Sequence, residues 1–184
     1  GKVLQFGREH LIREGFVETH TPKIVATATE GGADLFPMQY FDRPAFLNQS
    51  PQLFKQLCMS GGLERVFEIG PAFRAEKSDT YRHLAEFISF DIECSWANDD
   101  DVMGVLERML HHIWKSVAEE EESQSLIATI NQFRAEQGEE PVEVIVPELP
   151  FPRVEYDDAI RIIKEKGGSI AVSYTHLTLP TIRE

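Results

Sequence analysis

From Phe87 to Glu93 apolar and polar residues alternate with a period of two. Ile88, Phe90 and Ile92 fall on one side, and Phe87, Ser89, Asp91 and Glu93 on the other. Just upstream, Phe73 and Ala75 oppose Arg74 and Glu76, and a polar turn from Lys77 to Arg82 separates the two runs. The pattern predicts two antiparallel strands with one face on a core. At the start of the chain, Val3, Leu4, Phe6, Leu11 and Ile12 recur at helical spacing from about Lys2 to Glu14, and Gly15 ends the run. Residues 16–21 read as a strand stopped by Pro22. Tyr40-Phe41 and Ala45-Phe46-Leu47 are expected as short strands around a turn at Asp42, Arg43 and Pro44.

Ser50 as N-cap and Pro51 at the first helical position start a helix that Gly61 and Gly62 close. Arg65 to Ile69 supplies another strand, feeding through Gly70 and Pro71 into the hairpin. Asn98 or Asp99 caps a long helix to about Glu122, with Asp99, Asp100 and Asp101 at its positive end. Val102, Val105, Leu106, Met109, Ile113 and Val117 form its stripe, and Glu119 to Glu122 read as a solvated end. Leu126, Ile127, Ile130 and Phe133 continue helically to Gly138. A proline-punctuated extended segment covers residues 142–147, and a last helix runs from about Tyr156 to Lys166.

Composition narrows the class. A chain of 184 residues fits one domain with a real core, and no apolar run among its 42% hydrophobic residues is long enough to span a membrane, which predicts a soluble protein. No signal peptide precedes the pattern, and the chain opens on Gly1 inside a helix, as an excerpt would. Cys58 and Cys94 lack metal-ligand spacing and suit a reducing compartment. A net charge of −13 argues against a broadly basic surface, so any nucleic-acid contact is local or lies elsewhere in the protein. His111 and His112 diverge on a helix and have no ligand partner at metal spacing.

The candidate chemistry sits on the polar side of the hairpin. An arginine, carboxylates and one aromatic ring suit a nucleotide, with guanidinium for phosphate and ring face for base. The same pattern also serves an ordinary hairpin with a salt-bridged solvent face. Gln52 and Lys55 project from one side of a first helical turn and could read a small polar anion, or simply be a solvated helix end. Glu30, beside Gly31 and Gly32, stands at the hinge of a mobile loop or in a plain surface turn.

Arg74-x-Glu76, a short basic loop, then Arg82-His83-x-x-Glu86-Phe87 resembles motif 2 of the class II aminoacyl-tRNA synthetases, in the form used by the aspartyl-tRNA synthetases of archaeal and eukaryotic type. The opening helix, strand and Pro22 resemble motif 1. The string from Ala26 to Phe36, with Glu30, Gly31 and Gly32 at its centre, resembles the flipping loop, with Thr29 where the family often has serine. Gln49-Ser50-Pro51-Gln52-x-x-Lys55-Gln56 resembles the aspartate-recognition segment. Phe151 to Val154 and the last helix keep the likeness, which covers roughly residues 1–170. Residues 1–172 are expected to be the N-terminal part of the catalytic domain, with motif 3 absent. Residues 173–184 have no counterpart and read as a foreign tail.

The resemblance implies an α+β fold, an antiparallel sheet flanked by helices, here truncated. It implies Arg74 as the catalytic residue, on the ATP α-phosphate and the substrate carboxylate. Aspartate would be held by Glu30, Gln52, Leu53, Phe54, Lys55, Arg74 and Asp91, with Glu30 on its ammonium, Lys55 on its side-chain carboxylate and Asp91 holding Lys55. ATP would meet Arg74, Ala75, Glu76, Arg82, His83 and Leu84, with Phe87 stacked on adenine. Glu93 and Ser89 share the face without an assigned role.

The implied activity is aspartate–tRNA ligation in two steps, through aspartyl-adenylate, with L-aspartate, ATP and tRNA(Asp) as substrates. Mg²⁺ would bridge the phosphates, its protein ligands lying past residue 184. A homodimer through residues 2–22, a cytoplasmic setting and no membrane are expected. The fragment alone is expected to be inactive. The alternatives are an asparaginyl or asparagine-synthetase paralogue, and a non-catalytic dimerisation module. Lys55 with Asp91 argues against the first. Arg74, Glu76 and Phe87 together argue against the second.

Overall fold

The chain is described from a computed structural model over residues 1–27, 35–75 and 84–166. The strands β5 (Arg65–Phe73) and β6 (Glu86–Cys94) pair antiparallel throughout, from Arg65 opposite Cys94 to Phe73 opposite Glu86. The predicted alternation is realised. Phe67, Ile69, Phe90, Ile92 and Cys94 share the face that packs on Phe6 and Leu11 of α1 (Lys2–Arg13), on Phe16, and on Val105, Met109 and Ile113 of α3 (Asp99–Glu119). The Phe67 and Phe90 rings stack at 6.4 Å. Ile88, expected on that face, is exposed, because the helices cover only the Phe90 to Cys94 half of β6.

Gly7 lets the α1 backbone approach this sheet. A Cβ there would lie 2.6 Å from Phe90 Cε2.

The expected strand over residues 16–21 shortens to β1 (Val17–Glu18), which runs parallel to β5, so the sheet β1-β5-β6 is mixed rather than purely antiparallel. The Thr19 N–H still donates to Phe67 O at 2.8 Å, but the Thr21 N–H turns to the Glu68 carboxylate at 3.0 Å. A side chain thus ends the ladder. It also frees one flank of β5, which is why Pro71 sits inside that strand. Phe73, two residues on, sends its N–H away from β6 to Asn48 O, so Pro71 lacks a donor only on the side β1 has vacated.

A second sheet has the order β2 (Ile24–Val25), β4 (Arg43–Leu47), β3 (Pro37–Tyr40). Its hairpin turns at Phe41 and Asp42, with Phe41 at φ 53°, and Pro44 lies within β4 opposite Gln39. The turn expected at Asp42, Arg43 and Pro44 is therefore displaced, and β2 is an element the hydrophobic pattern did not reveal. At two residues it is too short to show a period.

The long helix predicted to about Glu122 ends three residues earlier, at Glu119, and the pattern expected to continue helically to Gly138 forms a separate helix. Asn98 caps α3 through a reciprocal pair with Asp101, and Glu120, at ψ 128°, ends it and starts α4 (Glu121–Glu136). Glu120 accepts from the Ser123 N–H at 3.2 Å and, with Glu122, pairs with Lys2. These glutamates are a cap and a clamp rather than a merely solvated end.

The chain forms two compact units, Gly1–Leu149 and Pro150–Glu184. The second carries α5 (Tyr156–Glu165), where Arg161 pairs with Asp158 at 2.7 Å, one turn back. No helix among the described residues is long and apolar enough to cross a membrane.

Candidate active site

The site begins at the buried run Asn48-Gln49-Ser50, which leads from β4 into α2 (Gln52–Ser60). Asn48 ties several segments together. Its N–H donates to Lys23 O at 2.9 Å, its carbonyl accepts from the Phe73 N–H at 3.1 Å, and its Nδ2 donates to Pro22 O at 3.0 Å. The Ser50 hydroxyl accepts the Gln52 N–H at 3.1 Å, as a capping side chain does. The regular helix starts one residue later than expected, with Pro51 at the cap position, and Gly62 at φ 102° follows its end.

The first turn of α2 exposes Gln52 and Leu53, half-buries Phe54 and buries Lys55 completely. Lys55 Nζ forms an ion pair with Asp91 Oδ1 and lies 3.3 Å from Glu93 Oε2. Asp91 and Glu93 are two apart on β6, so the pleat brings both carboxylates to the face on which α2 docks. A buried ammonium needs such compensation.

Directly opposite Asp91 in the register stands Glu68, 2% exposed and paired with Lys23. Gly70 leaves room for that pair, since a Cβ there would lie 3.0 Å from Glu68 Oε1. One sheet face therefore carries two lysine–carboxylate assemblies side by side. Glu68 and Lys23 have no signal in the sequence pattern, because only the strand register puts them there. Glu93 had a legible signal, its period-two relation to Asp91.

Arg74 follows the end of β5, where its N–H donates to Ala85 O at 3.0 Å. Its guanidinium carbon lies 5.5 Å from the centroid of the Phe87 ring, and its Nε is buried with no hydrogen-bond partner among the described residues. Ala75 is half-buried beside it and Leu84 is exposed. Glu30, Glu76, Arg82 and His83 lie outside the described residues. The hairpin thus holds a buried ammonium between two carboxylates of β6 and carries, where β5 ends, a guanidinium above an aromatic face, its Nε without a partner among the described residues.

The two adjacent histidines of α3 go separate ways. His111 Nδ1 donates to Pro147 O at 2.8 Å, while His112 stacks on His10 of α1 at 5.3 Å and meets Arg13 Nη2 at 2.7 Å. Burial first, then the neighbouring Arg13, holds His112 below the ordinary imidazole range. Burial also lowers His10, against the pull of Glu14. Among the described residues no group of three or more His, Cys, Asp or Glu could hold a metal ion.

The family of class II tRNA synthetases (D, K and N) matches residues 1–177. The chain is 52% identical over 169 residues to the aspartate–tRNA(Asp/Asn) ligase of Archaeoglobus fulgidus, covering 92% of this chain and 36% of that protein. It is 49% identical over 160 residues to the aspartate–tRNA(Asp) ligase of Thermoplasma volcanium, covering 87% and 35%.

Among solved structures it resembles the Pyrococcus horikoshii asparaginyl-tRNA synthetase complexed with asparaginyl-adenylate, at 35% identity and a TM-score of 0.74, over 92% of this chain and 37% of that one. The asparaginyl-tRNA synthetase of Entamoeba histolytica, also in complex with asparaginyl-adenylate, matches at 27% identity and a TM-score of 0.69, over 92% and 34%. The chain thus spans little more than a third of the length of the curated relatives it matches. With its family matched over nearly every residue and its α+β fold shared with solved members, the chain belongs to the class II tRNA synthetases of the D, K and N group.

Proposed function

We propose that this chain is the part of an aspartate–tRNA ligase that holds L-aspartate and one side of ATP. The observation that carries this reading is Lys55, fully buried at the start of α2 and paired with Asp91. An ammonium offers only donors, so it selects an acceptor, and its charge favours a carboxylate over an amide. In this reading Lys55 meets the side-chain carboxylate of aspartate, with Gln52, Leu53 and Phe54 beside it and Glu30 on the α-ammonium. Arg74 neutralises charge at the α-phosphate, Phe87 stacks on adenine, and Ala75, Glu76, Arg82, His83 and Leu84 complete the ATP side.

The aspartate α-carboxylate attacks the α-phosphorus, pyrophosphate leaves, and a terminal ribose hydroxyl of tRNA(Asp) then takes the aspartyl group. Positioning and charge neutralisation do most of this, with little side-chain acid–base chemistry. Mg²⁺ supplies charge neutralisation between phosphates in such reactions. The described residues do not fit it, since no group of three or more His, Cys, Asp or Glu among them could hold a metal ion. The roles assigned to these residues do not involve the metal.

Residues 2–22 are the proposed homodimer surface, consistent with the exposure of Val3, Ile12 and Val17, and the proposed setting is the cytoplasm.

The test is pyrophosphate exchange by the full-length protein that carries these residues. Exchange that depends on aspartate and not on asparagine is expected. Exchange driven by asparagine, or by neither amino acid in a folded protein, overturns the reading.

A further inference from the structure

We infer that Glu93 is a built-in competitor for the substrate's side-chain carboxylate, so that aspartate reaches Lys55 by displacing it. The inference rests on the reading of Lys55 given above. The ammonium assigned to the substrate is sealed, for the Lys55 side chain has 0% exposure, while the two carboxylate side chains against it keep 27% (Asp91) and 21% (Glu93). A ligand arriving from solvent cannot touch Lys55 Nζ until a group packed on it moves, and the partly exposed carboxylates already in contact with the ammonium are the ones a second carboxylate can replace.

The two are not equivalent. Asp91 makes the closer contact, on a short side chain. Glu93 stands at 3.3 Å, longer than the usual charge-assisted hydrogen bond, on a side chain with one more rotatable bond. Glu93 has no other hydrogen bond or ion pair among the described residues to hold it. Replacing it by an incoming carboxylate exchanges like for like, so the buried ammonium is never left uncompensated. Asp91 stays as the permanent partner, and Glu93 closes the site when aspartate is absent.

The inference has a sign that a bracing role for Glu93 does not share. Calorimetric titration of L-aspartate into the full-length protein reads it directly. Glu93→Gln, whose amide is a weaker acceptor for the ammonium, is expected to lower the Kd for aspartate roughly fivefold. Glu93→Asp keeps the charge but is one methylene too short to hold the contact, and is also expected to tighten binding. It decides the matter where the glutamine variant fails to fold.

Unchanged or weakened binding in the folded variants, with wild-type binding intact and abolished by Lys55→Met, overturns the role of Glu93 alone. A folded wild-type protein that binds no aspartate overturns the functional reading and this inference with it.

Discussion

The guanidinium of Arg74 rests over the ring of Phe87, 5.5 Å from its centroid. The two residues lie on opposite arms of the hairpin, and the family resemblance assigns them to separate parts of ATP. Their proximity means that the ring also positions the cation.

Phe87→Ala in the full-length protein is therefore expected to raise the KM for ATP and to lower kcat as well. On the proposed reading, removing the base stacking costs about 1–3 kcal/mol, and an Arg74 no longer held by the ring should slow the chemical step in addition. Phe87→Tyr, which keeps the ring face, should retain both functions. Steady-state pyrophosphate exchange at varied ATP checks this, and a KM change with unaltered kcat would separate the ring from Arg74.

Lys55→Met leaves Asp91 and Glu93 facing each other without a cation. On the proposed reading, aspartate-dependent exchange should fall by a factor equivalent to about 2–4 kcal/mol, because the substitution removes a charge-assisted hydrogen bond to the substrate. Near-normal activity would remove Lys55 from the aspartate site.

Gly7→Ala separates local from tertiary effects. In an isolated helix the change is favourable by about 1 kcal/mol. Here the new Cβ would stand 2.6 and 2.7 Å from Phe90 ring atoms and 3.3 Å from Ile113 Cδ1. Overpacking of this kind costs about 1–3 kcal/mol, so a lower urea midpoint is expected. A higher midpoint would mean that α1 slides freely on the sheet.

Acid should loosen the packing of α1 on α3 in two stages. His10 and His112 bind protons less readily folded than at the ordinary value of 6.5, chiefly because they are buried. Below that pH the unfolded chain takes up more protons, so stability present above it declines as the pH falls. Glu14 is held below its ordinary 4.5, first by the hydrogen bonds from Arg108 at 2.7 and 2.9 Å. Its contribution is present above 4.5 and is lost as the pH falls through its folded value. Urea midpoints measured from pH 7.5 to 4 should decline first below about 6.5. His112→Gln should flatten the first stage, and an undiminished first stage in that variant would acquit His112.

Much of this protein was legible in the chain itself. The period of two in β6 separated Phe90 and Ile92 from Asp91 and Glu93. The helical stripe of α3 announced Val105, Met109 and Ile113, and the three-residue spacing of Gln52 and Lys55 put both on one side of a helical turn. These are local patterns, in which side-chain direction follows from backbone geometry alone. Register and docking are not local. That Glu68 stands opposite Asp91, that Asn48 ties β5 to the start of α2, and that Lys2 holds Glu120 where α3 gives way to α4, depend on residues far apart in sequence. The seal on Lys55 is of this second kind. A lysine early in a helix is ordinarily solvated, and only the packing of α2 on the polar face of β5 and β6 buries this one, with two carboxylates against its ammonium.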